Sequence, residues 1–265
     1  MEQWARYEGV RFDLAGPALR DHWDVLHAGN KEPFPADDRV QEAWRAYHEG
    51  RFQDAVTIGQ AHGGAGLVPA AFAATIYANY LESDEDKKVA IFEAAMEMAE
   101  KATEACPDNA NAHYMLAVSR GRYSQFINMI EALSKGLGPK IRDSVTRCLE
   151  LQPDHAEGHA TMAGWNAEIV DKVGGMLAGL SFGAKKSNAE EHYEQSVALA
   201  PASPVPYIEK AHGLLLMYGE SSKEEATALL EKACTLAPAD AMQALDIARA
   251  RATLAALPTM TFSTP

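Results

Sequence analysis

The chain has 265 residues, 47% of them hydrophobic, and a formal net charge of −13 at pH 7. That apolar share is enough for a sizeable core, and the acidic balance repels phosphate backbones, which argues against sequence-independent nucleic-acid binding. Cys106, Cys148 and Cys234 lie far apart without a CxxC spacing, so they read as buried reduced thiols and not as a disulfide or zinc framework.

The N-terminus, "MEQWARYEGVRFDLAG", holds no apolar signal segment. No window reaches the roughly 18 apolar residues that span a bilayer, so a soluble, cytoplasmic protein is expected. Residues 1–38 are expected to be an N-terminal arm with one helix. In "PALRDHWDVLHAG" (17–29), Leu19, Trp23 and Leu26 recur at helical spacing, which gives that helix an apolar face needing cover.

From residue 39 onward, turn signals separate helix-periodic segments, and strand-like alternation is almost absent. Four segments run into a proline: "KATEACPDNA", "RCLELQPDHA", "QSVALAPASP" and "KACTLAPADA", ending at Pro107, Pro153, Pro201 and Pro238. Proline stops a helix by removing a donor and restricting the residue before it. Five residues before these prolines stand Ala102, Cys148, Ser196 and Ala233; twelve before stand Ala95, Ile141, Ala189 and Ala226. Ten residues after them stand Ala117, Ala163, Ala211 and Ala248. Small residues in phase let the two arms of a helical hairpin approach closely.

With these positions the chain resembles tetratricopeptide-repeat (TPR) proteins, whose 34-residue helix–turn–helix unit carries small residues at such places and a proline near its end. "AYHEGRFQDAV" (46–56) is similar to the inner turn of a first repeat, and "EKAHGLLLMYGESSKEEATALLEKACTLAP" to a whole one. The resemblance implies an all-α, TPR-like solenoid of helical hairpins over 39–255 with a C-terminal capping helix, and a tail over 256–265. It also implies a protein-interaction role without a catalytic motif. The architecture is similar to regulator-of-microtubule-dynamics proteins, to the T component associated with TRAP solute transporters, and to a bacterial TPR family that supplies no mechanism.

The spacing between successive prolines is 46, 48 and 37 residues, so two repeats are lengthened. Phase is kept at both ends of each, which puts the insertions between helix A and helix B. They are "GRYSQFINMIEALSKGLGPKI" (121–141) and "VDKVGGMLAGLSFGAKK" (170–186), expected as prolonged helices side by side on one rim. An earlier repeat also carries a charged "ESDEDKK" (82–88) between its helices. Residues 119–142 hold Arg120, Arg122, Lys135, Lys140 and Arg142 against Glu131; residues 169–187 hold Lys172, Lys185 and Lys186 against Asp171. Both insertions are therefore basic and apolar on an acidic chain. Candidate rim contacts are Phe126, Met129, Met176, Leu180 and Phe182. Gly175, Gly179 and Gly183 form a small-xxx-small pattern that permits near backbone contact. Internal packing against "FINMIEAL", self-association, or insertion into an anionic membrane surface would each use it.

For chemistry the sequence offers little. His155 and His159 are four apart in "HAEGH", which is not HExxH, and His159 takes the repeat position filled by His113 and Tyr207, where a large ring packs in the core. No nucleophile elbow, Walker loop or dinucleotide fingerprint is present, so no enzyme, cofactor or metal is expected. The lysine–asparagine pattern by which some TPR proteins grip a terminal carboxylate is absent. What remains on the inward positions of the A helices is a mixed set: Asn111, Tyr114, Arg122, Glu168 and His212, with Arg120 beside them. These are candidate partner-binding residues for a peptide or helix of another protein, unless the N-terminal arm fills the groove. The alternatives are a carrier of a small apolar ligand between long helices, or a peripheral membrane adaptor. A homo-oligomer is also open.

Overall fold

The structure, a computed structural model, describes residues 3–262. Among them there are fourteen α-helices and no strand. In chain order these are α1 (Ala18–Leu26), α2 (Asp38–His48), α3 (Phe52–His62), α4 (Leu67–Tyr80), α5 (Glu85–Ala105), α6 (Ala110–Ser124) and α7 (Met129–Ser134). There follow α8 (Leu137–Leu151), α9 (Ala156–Val173), α10 (Gly175–Phe182), α11 (Lys186–Leu199), α12 (Val205–Tyr218), α13 (Lys223–Thr235) and α14 (Ala241–Ala256). Among the described residues no helix is long and apolar enough to cross a membrane.

The chain divides into two compact units. The first holds the residues up to His27, then Lys31–Pro153 and Asp240–Met242; the second holds Ala28–Asn30, Asp154–Ala239 and the residues from Gln243 on. The first contains the hairpins α2/α3, α4/α5 and α6/α8, each packed on its chain neighbour. The second contains α9/α11 and α12/α13, with α12 also lying against α9.

The prolines act as expected. Helices α5, α8, α11 and α13 end at Ala105, Leu151, Leu199 and Thr235, just before Pro107, Pro153, Pro201 and Pro238. The in-phase small residues are the packing contacts: Ala95, Ala102, Ala117, Cys148, Ala163, Ala189, Ser196, Ala211, Ala226 and Ala233 have no exposed surface. Ile141 is buried as well, so a larger side chain is absorbed at its position without loss of register. Ala248 departs from this pattern and is exposed, while Ile247 and Ala250 of the same helix are buried. The reason is topological. Among the described residues no helix follows α14 to cover that face.

The helix starts are capped where the sequence turns polar. Asn109 accepts from Ala112 N at the head of α6, and Asp84 accepts from Lys87 N at the head of α5. Glu85 and Asp86 then occupy the first turn of α5, where negative charge complements the helix dipole. The acidic stretch at 82–88 thus becomes the cap and first turn of a 21-residue helix.

The two lengthened repeats correct the expectation of prolonged helices. In the first, α6 stops at Ser124 and the chain turns before a separate six-residue helix, α7, which is capped by Asn128. Gly136, at φ 62, then turns the chain into α8. In the second, α9 runs to Val173 and is interrupted at Gly174, whose φ of 78 is left-handed and favours glycine. Helix α10 follows as a short segment, packed on α9 through the buried Ala178. Each insertion is a broken arm and not a continued helix.

Candidate functional site

The N-terminal helix brings its apolar face inward, and Leu19, Trp23 and Leu26 are all buried. Trp23 Nε1 donates to the backbone carbonyl of Glu32 at 2.7 Å, which fixes the segment after the helix. The Glu32 carboxyl group then meets the start of α6: Oε1 accepts from Asn109 Nδ2 at 3.1 Å and Oε2 from Asn111 Nδ2 at 2.8 Å. Burial pushes this carboxyl up to about 7, against the opposing effect of the two amides. Asn111, expected on an inward surface, is therefore buried beneath the chain's own N-terminal segment.

The other expected partner-binding residues fall in both compact units. In the first, Tyr114 is half-buried, with its ring 5.7 Å from that of Phe72. Arg120 donates to Glu100 on α5 at 2.8 Å and to Ser144 on α8 at 2.9 Å, with its side chain 14% exposed. It ties three helices together. Arg122 is half-buried in the last turn of α6. In the second unit, Glu168 pairs with Lys172 one turn along α9 at 3.1 Å, and His212 is half-buried on α12.

The apolar arms are bare. On α7, Met129, Ile130 and Leu133 are 49%, 80% and 58% exposed, whereas Phe126 before it leans on the Phe92 ring at 5.6 Å. On α10, Met176 and Leu180 are 84% and 83% exposed, Leu177 is half exposed and Phe182 is half-buried. A side chain added at Gly175 or Gly179 would meet nothing. The glycine pattern therefore makes no near backbone contact among the described residues, and internal packing does not account for it.

Two polar clusters, the first buried and the second part-buried, carry no sequence signature as pairs. In the first unit, His48 Nδ1 lies 2.7 Å from Asp240 Oδ2, and its Nε2 lies 3.1 Å from His27 Nε2. In the second, His159 Nδ1 and His192 Nδ1 are 2.8 Å apart, and His192 is held below the usual histidine range by burial and then by His159. His155 caps α9, its Nδ1 accepting from Gly158 N at 2.8 Å. The ring position that His159 shares with His113 and Tyr207 has a recurring use. His113 Nε2 donates to Pro107 O at 2.8 Å, and Tyr207 Oη donates to Pro201 O at 3.0 Å, so each of these two side chains staples its own proline turn. Among the described residues no three His, Cys, Asp or Glu side chains are placed to hold a metal ion.

Comparison with known proteins agrees with this architecture. The family described as regulator of microtubule dynamics protein 1–3 matches residues 67–172, from α4 to the last turn of α9. Among solved structures, a thermophilic TPR protein from Thermus thermophilus superposes with a TM-score of 0.57 at 18% identity. The alignment covers 81% of this chain and 98% of that one. No curated protein matches the sequence significantly. The fold is TPR-like and all-α.

Proposed function

We propose that this chain is a non-catalytic interaction scaffold whose partner docks on the broken apolar arms. The TPR-like fold is an architecture that mediates protein interactions. One observation carries the assignment to the arms: α10 presents Met176 and Leu180 to solvent, each more than four-fifths exposed, on a helix with no charged residue. Bare aliphatic side chains on a helix are the anchors that a partner helix or peptide buries. The inward surface supports the same choice, since Asn111 and Arg120 are already engaged inside the chain.

The test is site-specific cross-linking in the source cell, with a photoreactive residue at Leu177 and a control at Glu224 on α13. A discrete protein adduct at Leu177, lost in Met176→Ser/Leu180→Ser, is expected. Equal labelling at both positions overturns the reading. An anionic membrane surface is the second reading, favoured by the exposed Lys185 beside α10. It requires co-sedimentation with anionic vesicles that disappears at high salt.

A further inference from the structure

Residues 3–14 precede α1 without helix or strand, and they lie on a ledge of the first compact unit built by the end of α2, the start of α3 and the end of α4. The segment presents backbone donors and two rings. Trp4 N donates to Gln53 Oε1, Ala5 N to Tyr77 Oη and Leu14 N to Glu49 Oε1, each at 3.1 Å. Trp4 stacks on Tyr77, with ring centroids 4.0 Å apart and planes 14° from parallel. Tyr7 rests on Gly50, whose φ of 79 serves the turn between α2 and α3. A Cβ added at Gly50 would fall 2.5 Å from Tyr7 Cδ1, so the glycine also leaves the notch that the ring fills. The acceptors are held by the body of the unit and not by the segment. Tyr77 Oη donates to Glu82 at 3.3 Å, which leaves its lone pairs for Ala5 N, and Glu49 is fixed by Arg51 at 3.0 Å and Arg45 at 3.7 Å. Ala5, Arg6, Glu8, Val10 and Arg11 of the segment are exposed. A stretch that gives its ledge two rings and a row of N–H groups, and leaves its other side chains in water, has the form of a bound peptide.

We propose that this ledge is a recognition site for an extended peptide of a partner protein with two aromatic residues three apart, and that residues 3–14 occupy it in cis. The first ring stacks on Tyr77 and the second fills the Gly50 notch. Recognition through backbone N–H groups makes no demand on the intervening side chains, so selectivity rests on the spacing of the two rings. Acceptors already set in place need no reorganisation when one segment replaces another. The tethered arm competes at an effective concentration on the order of millimolar, so an incoming peptide binds only molecules whose own arm is off, and its apparent affinity falls by that fraction. The occupant is a segment of a different protein and not the arm of a second copy. Exchange between copies replaces each contact with the same contact and gains nothing against the tether. The ledge uses no residue of α7 or α10, so it stands or falls apart from their docking role.

The probe is a synthetic peptide of residues 3–14 with blocked ends, titrated calorimetrically into the full chain. In Trp4→Ala/Tyr7→Ala, whose own arm has lost both rings, binding of one probe per chain is expected. Wild type should bind it at least roughly 10-fold more weakly, because its ledge is filled. Trp4→Ala alone keeps Tyr7 in its notch and should give an intermediate affinity, which secures the test should the double variant fold poorly. A control probe with its two aromatic residues brought next to each other should not bind. No binding to either variant overturns the proposal, as does equal binding by wild type and variants, or equal binding of the two probes. Wild-type dimers that vanish in the double variant would overturn it too, since the arm would then be exchanged between copies.

Discussion

His48 Nδ1 stands 2.7 Å from Asp240 Oδ2, and both side chains are 1% exposed. The two residues are 192 apart in sequence, so the contact secures the short Asp240–Met242 segment to the first compact unit. Asp240 Oδ2 is placed to accept from His48 Nδ1–H, and His48 Nε2 faces His27 Nε2 on the other side of the ring. Removing the acceptor strands a buried donor. Asp240→Ala should therefore lower stability by about 1–3 kcal/mol, the range for a buried donor that loses its acceptor. Asp240→Asn keeps an acceptor oxygen and should lose less. Urea unfolding of the three proteins measures both; equal losses would show that the acceptor is not what matters.

Glycine substitutions in the second unit should divide by what lies above them. A side chain added at Gly213 on α12 falls on the Tyr193 ring, which is buried among Ala163, Ala167, Leu214 and Met217. At Gly164 on α9 the nearest atom to an added methyl is the Tyr193 hydroxyl at 3.9 Å, an ordinary contact. Gly213→Ala is expected to destabilise by about 1–3 kcal/mol through overpacking. Gly164→Ala should stabilise by about 0.5–1 kcal/mol, since alanine costs less backbone entropy than glycine in a helix. Thermal unfolding of the pair gives the comparison, and a matching sign for both would refute it.

These cases mark what could be read from residues alone. The hairpins were legible because their signals are local: Pro107, Pro153, Pro201 and Pro238 end their helices, and Ala102, Cys148, Ser196 and Ala233 recur in phase and are buried. Leu19, Trp23 and Leu26 announced a covered helix face for the same reason. Breaks inside the insertions were harder, because "GG" at 174–175 interrupts a helix only when the backbone adopts a positive φ there, as Gly174 does. Ala248 keeps the right phase but is exposed, because among the described residues no helix follows α14 to cover it. Glu32 with Asn111 and His48 with Asp240 are invisible as pairs, being 79 and 192 residues apart, although Asn111 by itself stands at an inward position of its helix. Tertiary proximity alone makes them a site.

Protonation of His192 should destabilise the second unit. Burial and the neighbouring His159 hold its pKa below the ordinary histidine value of 6.5, so the folded state binds that proton less tightly than the unfolded state. The contribution is fully present above the ordinary value and is lost as pH falls below it. This is opposite in sign to Glu32, whose raised pKa makes stability fall as pH rises towards about 7. Urea midpoints measured across this range should show a shallower acid-side loss in His192→Asn than in wild type. In Glu32→Gln the neutral-side loss should be removed. If His192→Asn leaves the acid limb unchanged, the histidine pair is not the titrating element.

The α10 arm should separate stability from binding. Met176 and Leu180 are so exposed that replacing both by serine removes little buried surface, and the change in unfolding free energy should stay within about 0.5 kcal/mol. The same holds for Gly175→Ala and Gly179→Ala, because an added methyl meets nothing at either position. Ala178 is the counter-example: it is fully buried against α9, so Ala178→Leu should dislodge the arm and cost about 1–3 kcal/mol. A partner that buries the outer face would respond to the serine pair by losing affinity while the fold stays intact. One that packed backbone to backbone along the glycines would instead be expelled by Gly175→Ala/Gly179→Ala. Calorimetric unfolding alongside binding of the cross-linked partner distinguishes the two. A large stability loss from the serine pair would mean that α10 already packs on the chain itself and is not a free docking face.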